Sequence, residues 1–144
     1  MRRVLAPVLF ASASLVISGC AVVEAPAPPP VACASWVDFE TGEQMAESAD
    51  AVIVVADIEA DGTVDILGYD ANAYRVTVTS VEKGAPEIGD ILRVGSTADA
   101  CASMPYGGSG IDPMRSGETL RLYLNHVEGE WQTLTPFDGV EPVR

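Results

Sequence analysis

The sequence predicts a mainly β domain: a five-stranded Greek-key barrel of the OB type with a short flanking α-helix, set behind a signal peptide and a Pro-rich linker. Three observations predict it. Short β-branched or alternating runs recur between Gly and Asp turn signals after residue 50, a spacing that favours a small barrel or sandwich. Only one stretch, around Thr41, carries a helix-start signature. Residues 33–144 form a single stretch without a second linker or an internal repeat, near the commonest size for one domain with its own core.

The elements follow in order. Thr41-Gly42-Glu43-Gln44 is a capping box, a hydroxyl at the cap with Gln three residues on, and it starts a helix that runs to about Ser48. Met45 and Ala49 are four apart and share its buried face. Ala51 to Ala56 is rich in β-branched residues, which fit a pleated, half-buried surface, so it reads as the first and a central strand. Tyr74, Val76 and Val78 alternate with Arg75, Thr77 and Thr79, the period of a strand with one wet face. Ile91 to Val94 comes next, after Gly89-Asp90. Thr119 to Asn125 alternates Leu120, Leu122 and Leu124 with Arg121 and Tyr123. Trp131 to Leu134 closes the set after the turn Glu128-Gly129-Glu130.

The N-terminus carries an address. Arg2-Arg3, the uncharged run Val4 to Ile17, and the small residues Ser18-Gly19 before Cys20 have the layout of a secretory signal peptide. Ile17-Ser18-Gly19-Cys20 resembles the bacterial lipobox. That resemblance implies lipidation of Cys20, removal of residues 1–19, and an extracytoplasmic domain anchored to a bacterial membrane. The apolar run is interrupted by Pro7 and is shorter than the roughly 20 residues that a spanning helix needs. Residues 20–32 form an Ala/Pro linker, with Pro26, Pro28, Pro29 and Pro30 favouring extended polyproline II.

Charge narrows the partners. The chain has 8 Lys and Arg against 21 Asp and Glu, a net charge of -13. Without Arg2 and Arg3 the net charge is -15. Affinity for nucleic acid comes mainly from cations that displace counterions, so no nucleic-acid partner is expected. Anionic lipid is disfavoured on the same ground. The lipid anchor is then the expected membrane contact, and a protein or envelope component the expected partner.

Three cysteines leave one over if two pair. With Cys20 lipidated, Cys33 and Cys101 remain for one disulfide in an oxidising compartment.

Candidate chemistry is sparse. In Asp57-Ile58-Glu59-Ala60-Asp61-Gly62-Thr63-Val64-Asp65 the acidic spacing echoes a calcium loop, but Gly68 stands where the bidentate Glu belongs. The expectation is a hairpin with a type I′ turn at Asp61-Gly62, its carboxylates facing water, and no metal or other cofactor. Gly107-Gly108-Ser109-Gly110 lacks the second glycine of a nucleophile elbow, since Ile111 follows. His126, the one histidine, ends a predicted strand. A hydrolase would need Ser109 and His126 within hydrogen-bond reach, and no enzymatic activity is expected. Trp36, Tyr106, Trp131 and Phe137 are candidates for a ligand groove or for core packing.

Taken together, Cys33, the short helix, Ser48 to Val54, the strand ending in Ser80-Val81-Glu82-Lys83-Gly84, Gly89-Asp90, Cys101, and Ser116-Gly117-Glu118 before Leu122-Tyr123-Leu124 resemble the netrin-like domain shared by tissue inhibitors of metalloproteinases. The resemblance implies an OB-like barrel and, as an alternative function, protease inhibition. In those inhibitors a free N-terminal Cys chelates the protease zinc, whereas Cys33 follows a linker and has no free amine. The leading expectation is a non-catalytic binding module.

Overall fold

Ala51–Ile66 forms one long strand, β1, in the computed structural model, which describes residues 33–143. Residues 1–32, including Cys20, the signal peptide and the Ala/Pro linker, lie outside the described residues. A two-residue turn leads from β1 into β2, Tyr69–Lys83. The remaining strands are β3, Ile91–Gly95, β4, Leu120–Val127, β5, Glu130–Thr133, and β6, Val140–Pro142.

Five of these strands close into a ring. β1 pairs antiparallel with β2 and β2 with β3. β3 then runs parallel to β5, β5 pairs antiparallel with β4, and β4 returns to β1. This is the expected OB-like barrel. The sixth strand, which the sequence reading did not anticipate, pairs over Leu120, Arg121 and Leu122 along the part of the β4 edge that β5 leaves free.

The expected turn at Asp61-Gly62 is not there. Pairing slips between Ala56 and Glu59 and again between Ala60 and Thr63, and Asp57 and Gly62 both have positive φ, 49° and 78°. These are β-bulges, which bend and coil a strand so that it can serve two parts of a barrel. The N-terminal half of β1 therefore pairs with β4, and the far end curls over β3. There, a Cβ on Gly95 would lie 2.8 Å from Val64 Cγ1. An Asp-Gly pair satisfies the backbone needs of a bulge as well as those of a turn, which is why the sequence signal misled. The hairpin turns at Leu67-Gly68 instead.

Alternate residues of three strands fill the barrel: Ala51, Ile53 and Val55, then Tyr74, Val76 and Val78, then Leu120, Leu122 and Leu124. Met114, from the long β3–β4 connection, is buried among them. The opposite side chains Val52 and Tyr123 face outward and are covered by α1, Gly42–Ser48. Met45 and the cap residue Ala49, four apart, are buried here on one face. Thr41 Oγ1 accepts from Gln44 N at 3.3 Å, while Gln44 Oε1 accepts from Glu40 N, one residue earlier than the standard capping box. Lys83 Nζ caps the other end by donating to the carbonyls of Ala46 and Glu47. Cys33 and Cys101 form a disulfide. No helix among the described residues is long and apolar enough to cross a membrane.

Candidate functional site

Two hairpin turns of the same kind border a concave feature of the surface. Leu67 and Gly68 have φ of 54° and 85°, and Glu128 and Gly129 have φ of 53° and 93°. Two consecutive positive values are what a type I′ turn requires, and its twist matches that of the flanking strands. Between the turns lies a cleft of about 450 Å³. In OB barrels the β1–β2 and β4–β5 loops flank the ligand face.

The cleft has an apolar floor and a polar wall. Ile66 and Leu134 are buried in the floor, and Leu67 and Val127 stand at its mouth, 50% and 45% exposed. Asn125 and Gln132 are ladder partners on β4 and β5, so their amides stand side by side. Asp65 at the end of β1 and Glu128 in the second turn contribute carboxylates, and no Lys or Arg among the described residues lines the cleft. Trp36 completes the lining and also borders a second hollow of about 300 Å³, which shares Asn125 and Leu134.

Leu67 breaks a local rule. The left-handed region costs most L-residues roughly 1–2 kcal/mol, and Asn or Gly is the usual solution. A leucine there, half exposed, is costly both to the backbone and to solvation, and such conflicts concentrate at binding sites. Leu67→Asn is expected to raise unfolding free energy by about 1 kcal/mol, read as a higher urea midpoint at unchanged slope. A lower midpoint would show that the leucine is there for packing.

Trp36 belongs to a strap, Cys33 to Phe39, with neither helix nor strand. The disulfide holds one end of it, and Phe39 packs against the helix cluster at the other. The indole Nε1 of Trp36 is buried with no hydrogen-bond partner among the described residues.

The other sequence candidates lie elsewhere. Trp131 packs against the barrel core and stacks on His126 with ring centroids 4.5 Å apart. Phe137 is exposed, and Tyr106 joins the buried network described below. Ser109 ends a 3₁₀ turn, Gly107–Ser109, and its Oγ accepts from Ile111 N at 3.2 Å. No hydrogen bond joins Ser109 to His126 among the described residues. Of the acidic run, Asp57, Glu59 and Asp65 are exposed, while Asp61 pairs with Arg75 at 3.0 Å and Arg93 at 3.3 Å. No group of three or more His, Cys, Asp or Glu among the described residues is placed to hold a metal.

The structure also shows a buried polar network that sequence reasoning missed. Asp112, 4% exposed, accepts from Asn72 Nδ2 and Tyr74 OH at 2.7 Å, Ser96 Oγ at 2.8 Å and Met114 N at 3.0 Å. Asn72 also donates to Tyr106 OH at 3.3 Å. The available signal was Asp112-Pro113, a cap residue before a proline at a helix start, and it does open the 3₁₀ turn Pro113–Ser116. With every lone pair engaged, the carboxylate pins the β3–β4 connection to β2 and leaves no acceptor for a substrate.

All four tyrosines of the chain hold their protons above the ordinary phenol range, chiefly through burial. Tyr74 is pushed up to about 12 by burial and then by its hydrogen bond to Asp112. Because the folded values are raised, stability is fully present below the unfolded phenol value near pH 10. It falls above that, as the unfolded chain ionises first. Tyrosinate absorbance of the folded protein should therefore rise at higher pH than that of the urea-unfolded chain. Two or more phenols titrating in the folded protein near pH 10 would contradict this.

Comparisons with protein-family models, curated proteins and solved structures give no match to this chain. Fold and cleft chemistry therefore carry the functional argument.

Proposed function

We propose that the chain is a non-catalytic binding module, held outside the cytoplasm on a bacterial membrane by a lipid on Cys20, which binds its partner through the cleft at Trp36. The observation that carries this reading is the mouth of the cleft, where two hairpin turns hold Leu67 and Val127 half exposed above a built floor. Isolated exposed leucines are common. A pair on adjoining loops over a concave, mixed apolar and polar lining is what ligand sites offer. Two or three acyl chains would hold the domain at the bilayer stably, since each buried methylene contributes about 0.8 kcal/mol and one chain alone binds only marginally. The Ala/Pro linker would then hold it away from the lipid.

The anchor is tested by fractionation. Cys20→Ser is expected to release the protein from membranes or leave it unprocessed. A variant that is cut and sediments like wild type would remove the lipoprotein part of the reading.

A second reading, protease inhibition, rests on the strap. Its backbone makes no hydrogen bonds to other backbone groups of the described residues, its two ends are fixed, and Val37 projects from it 60% exposed. A constrained segment with free backbone groups can add as a strand to a protease cleft at reduced entropic cost. Titrating metallo- and serine proteases with the protein decides this: stoichiometric loss of activity that Val37→Asp abolishes would support inhibition, and unaffected rates would end it.

A further inference from the structure

The five described cations are all engaged within the fold. Arg75 and Arg93 pair with Asp61, and Arg93 also with Glu130. Arg121 pairs with Glu82 and Glu141, Lys83 caps the helix, and Arg115 donates to Tyr74 OH. Among the described residues the remaining carboxylates have no cation paired with them, in a chain of net charge -13. The surface potential is therefore negative, and a concave site bordered by acids and lacking bases concentrates that field.

The mouth of the cleft repeats one chemical pairing on both sides. Asp65, near the end of β1, and Leu67 stand on one side, and Val127, the last residue of β4, and Glu128 on the other. An exposed apolar side chain beside a carboxylate is complementary to lysine or arginine, whose stem lies on apolar surface while its head meets the acid. Between the turns, the adjacent amides of Asn125 and Gln132 present both donors and acceptors, which is what a peptide backbone requires.

We propose that the cleft receives a basic, apolar peptide segment of a partner protein, with a lysine or arginine between Asp65 and Glu128 and apolar neighbours on Leu67 and Val127. This rests on the cleft being the binding site. It adds the chemistry of the occupant: a cationic peptide, in preference to a polyanion, which the field repels, or a neutral glycan, which would make no use of the two acids.

The test follows the Trp36 indole N–H by nuclear magnetic resonance in the full chain, held in neutral detergent. Trp131→Phe leaves Trp36 as the single tryptophan, since the chain has 2. The probes are a pool of blocked pentapeptides with central lysine and Leu, Val, Ile or Phe around it, the same pool with central glutamate, and cellotetraose. The lysine pool should shift the Trp36 signal, with affinity falling about tenfold in Asp65→Asn/Glu128→Gln and at high salt, while the glutamate pool should leave the signal in place. Equal response to both pools, an unweakened double variant, or a response to cellotetraose alone would overturn the proposal and leave the cleft as a binding site for another ligand. A Trp36 signal that none of the three probes moves would overturn both.

Discussion

Replacing Asp112 by alanine is expected to lower the unfolding free energy by about 3 to 5 kcal/mol. The carboxylate is the shared acceptor for four donors on three separate segments: Asn72 and Tyr74 on β2, Ser96 just after β3, and Met114 N in the 3₁₀ turn that Asp112 itself caps. A buried donor left without an acceptor costs about 1–3 kcal/mol, and a lost cap about 1 kcal/mol. The sum exceeds the expected loss because water would enter and recover part of it. Asp112→Asn keeps the shape and one oxygen. The hydroxyls of Tyr74 and Ser96 can turn to accept from the new amide, so the cost should fall to about 1–2 kcal/mol. Urea unfolding of both variants measures the difference. Equal losses would mean that shape, rather than acceptor count, governs the site, and a loss below about 1 kcal/mol for alanine would remove the network from the account of stability. Since the hydrogen bond to Asp112 is the second cause of the raised Tyr74 value, both variants should also let that phenol ionise at lower pH.

Removing the disulfide should have an effect of similar size. Cys33 and Cys101 are 68 residues apart, and constraining a loop of that length in the unfolded chain contributes about 4 kcal/mol in the chain-entropy model. Both cysteines are exposed, so a reductant reaches them without global unfolding. Reduction, or Cys33→Ala with Cys101→Ala, is expected to cost about 3–4 kcal/mol. The strap should loosen more than the barrel: Trp36 emission should change, while amides of β1, β2 and β4 remain the slowest to exchange. The folded side of this difference is small, because Phe39 still packs the strap against the helix cluster. Two alkylatable thiols in the native protein, or a loss below about 1 kcal/mol on reduction, would contradict the pairing or its energetic role.

The elements legible in the chain were those whose signal is local. Alternation identified the strand around Tyr74 to Val78 and the one around Leu120 to Leu124, because alternate residues of each, Tyr74, Val76 and Val78, and Leu120, Leu122 and Leu124, turn into the barrel. The capping box at Thr41 identified the helix, because cap hydrogen bonds join neighbours in sequence. β6 was missed because a strand of three residues, Val140–Pro142, exists only where β4 offers an unpaired edge. The first strand was read too short because Asp57 and Asp61-Gly62 look like the end of a strand, and only pairing with β2 and β4 shows that they are bulges inside one.

Composition and periodicity alone point to a mainly β domain with one helix, a net charge of -13, and Cys33 and Cys101 as the pair left if Cys20 is set aside. These rest on composition, on periodicity and on contacts close in the chain. That Trp36 and the turns at Leu67 and Glu128 border one cleft, and that Asp112 joins Asn72, Tyr74 and Ser96, comes from contacts between segments far apart in the chain. Such arrangements depend on ring closure, in which β3 meets β5 in parallel and β4 returns to β1. The order in which strands join carries no local signature, because hydrophobic alternation says which face is buried and is silent about which strand will lie beside it.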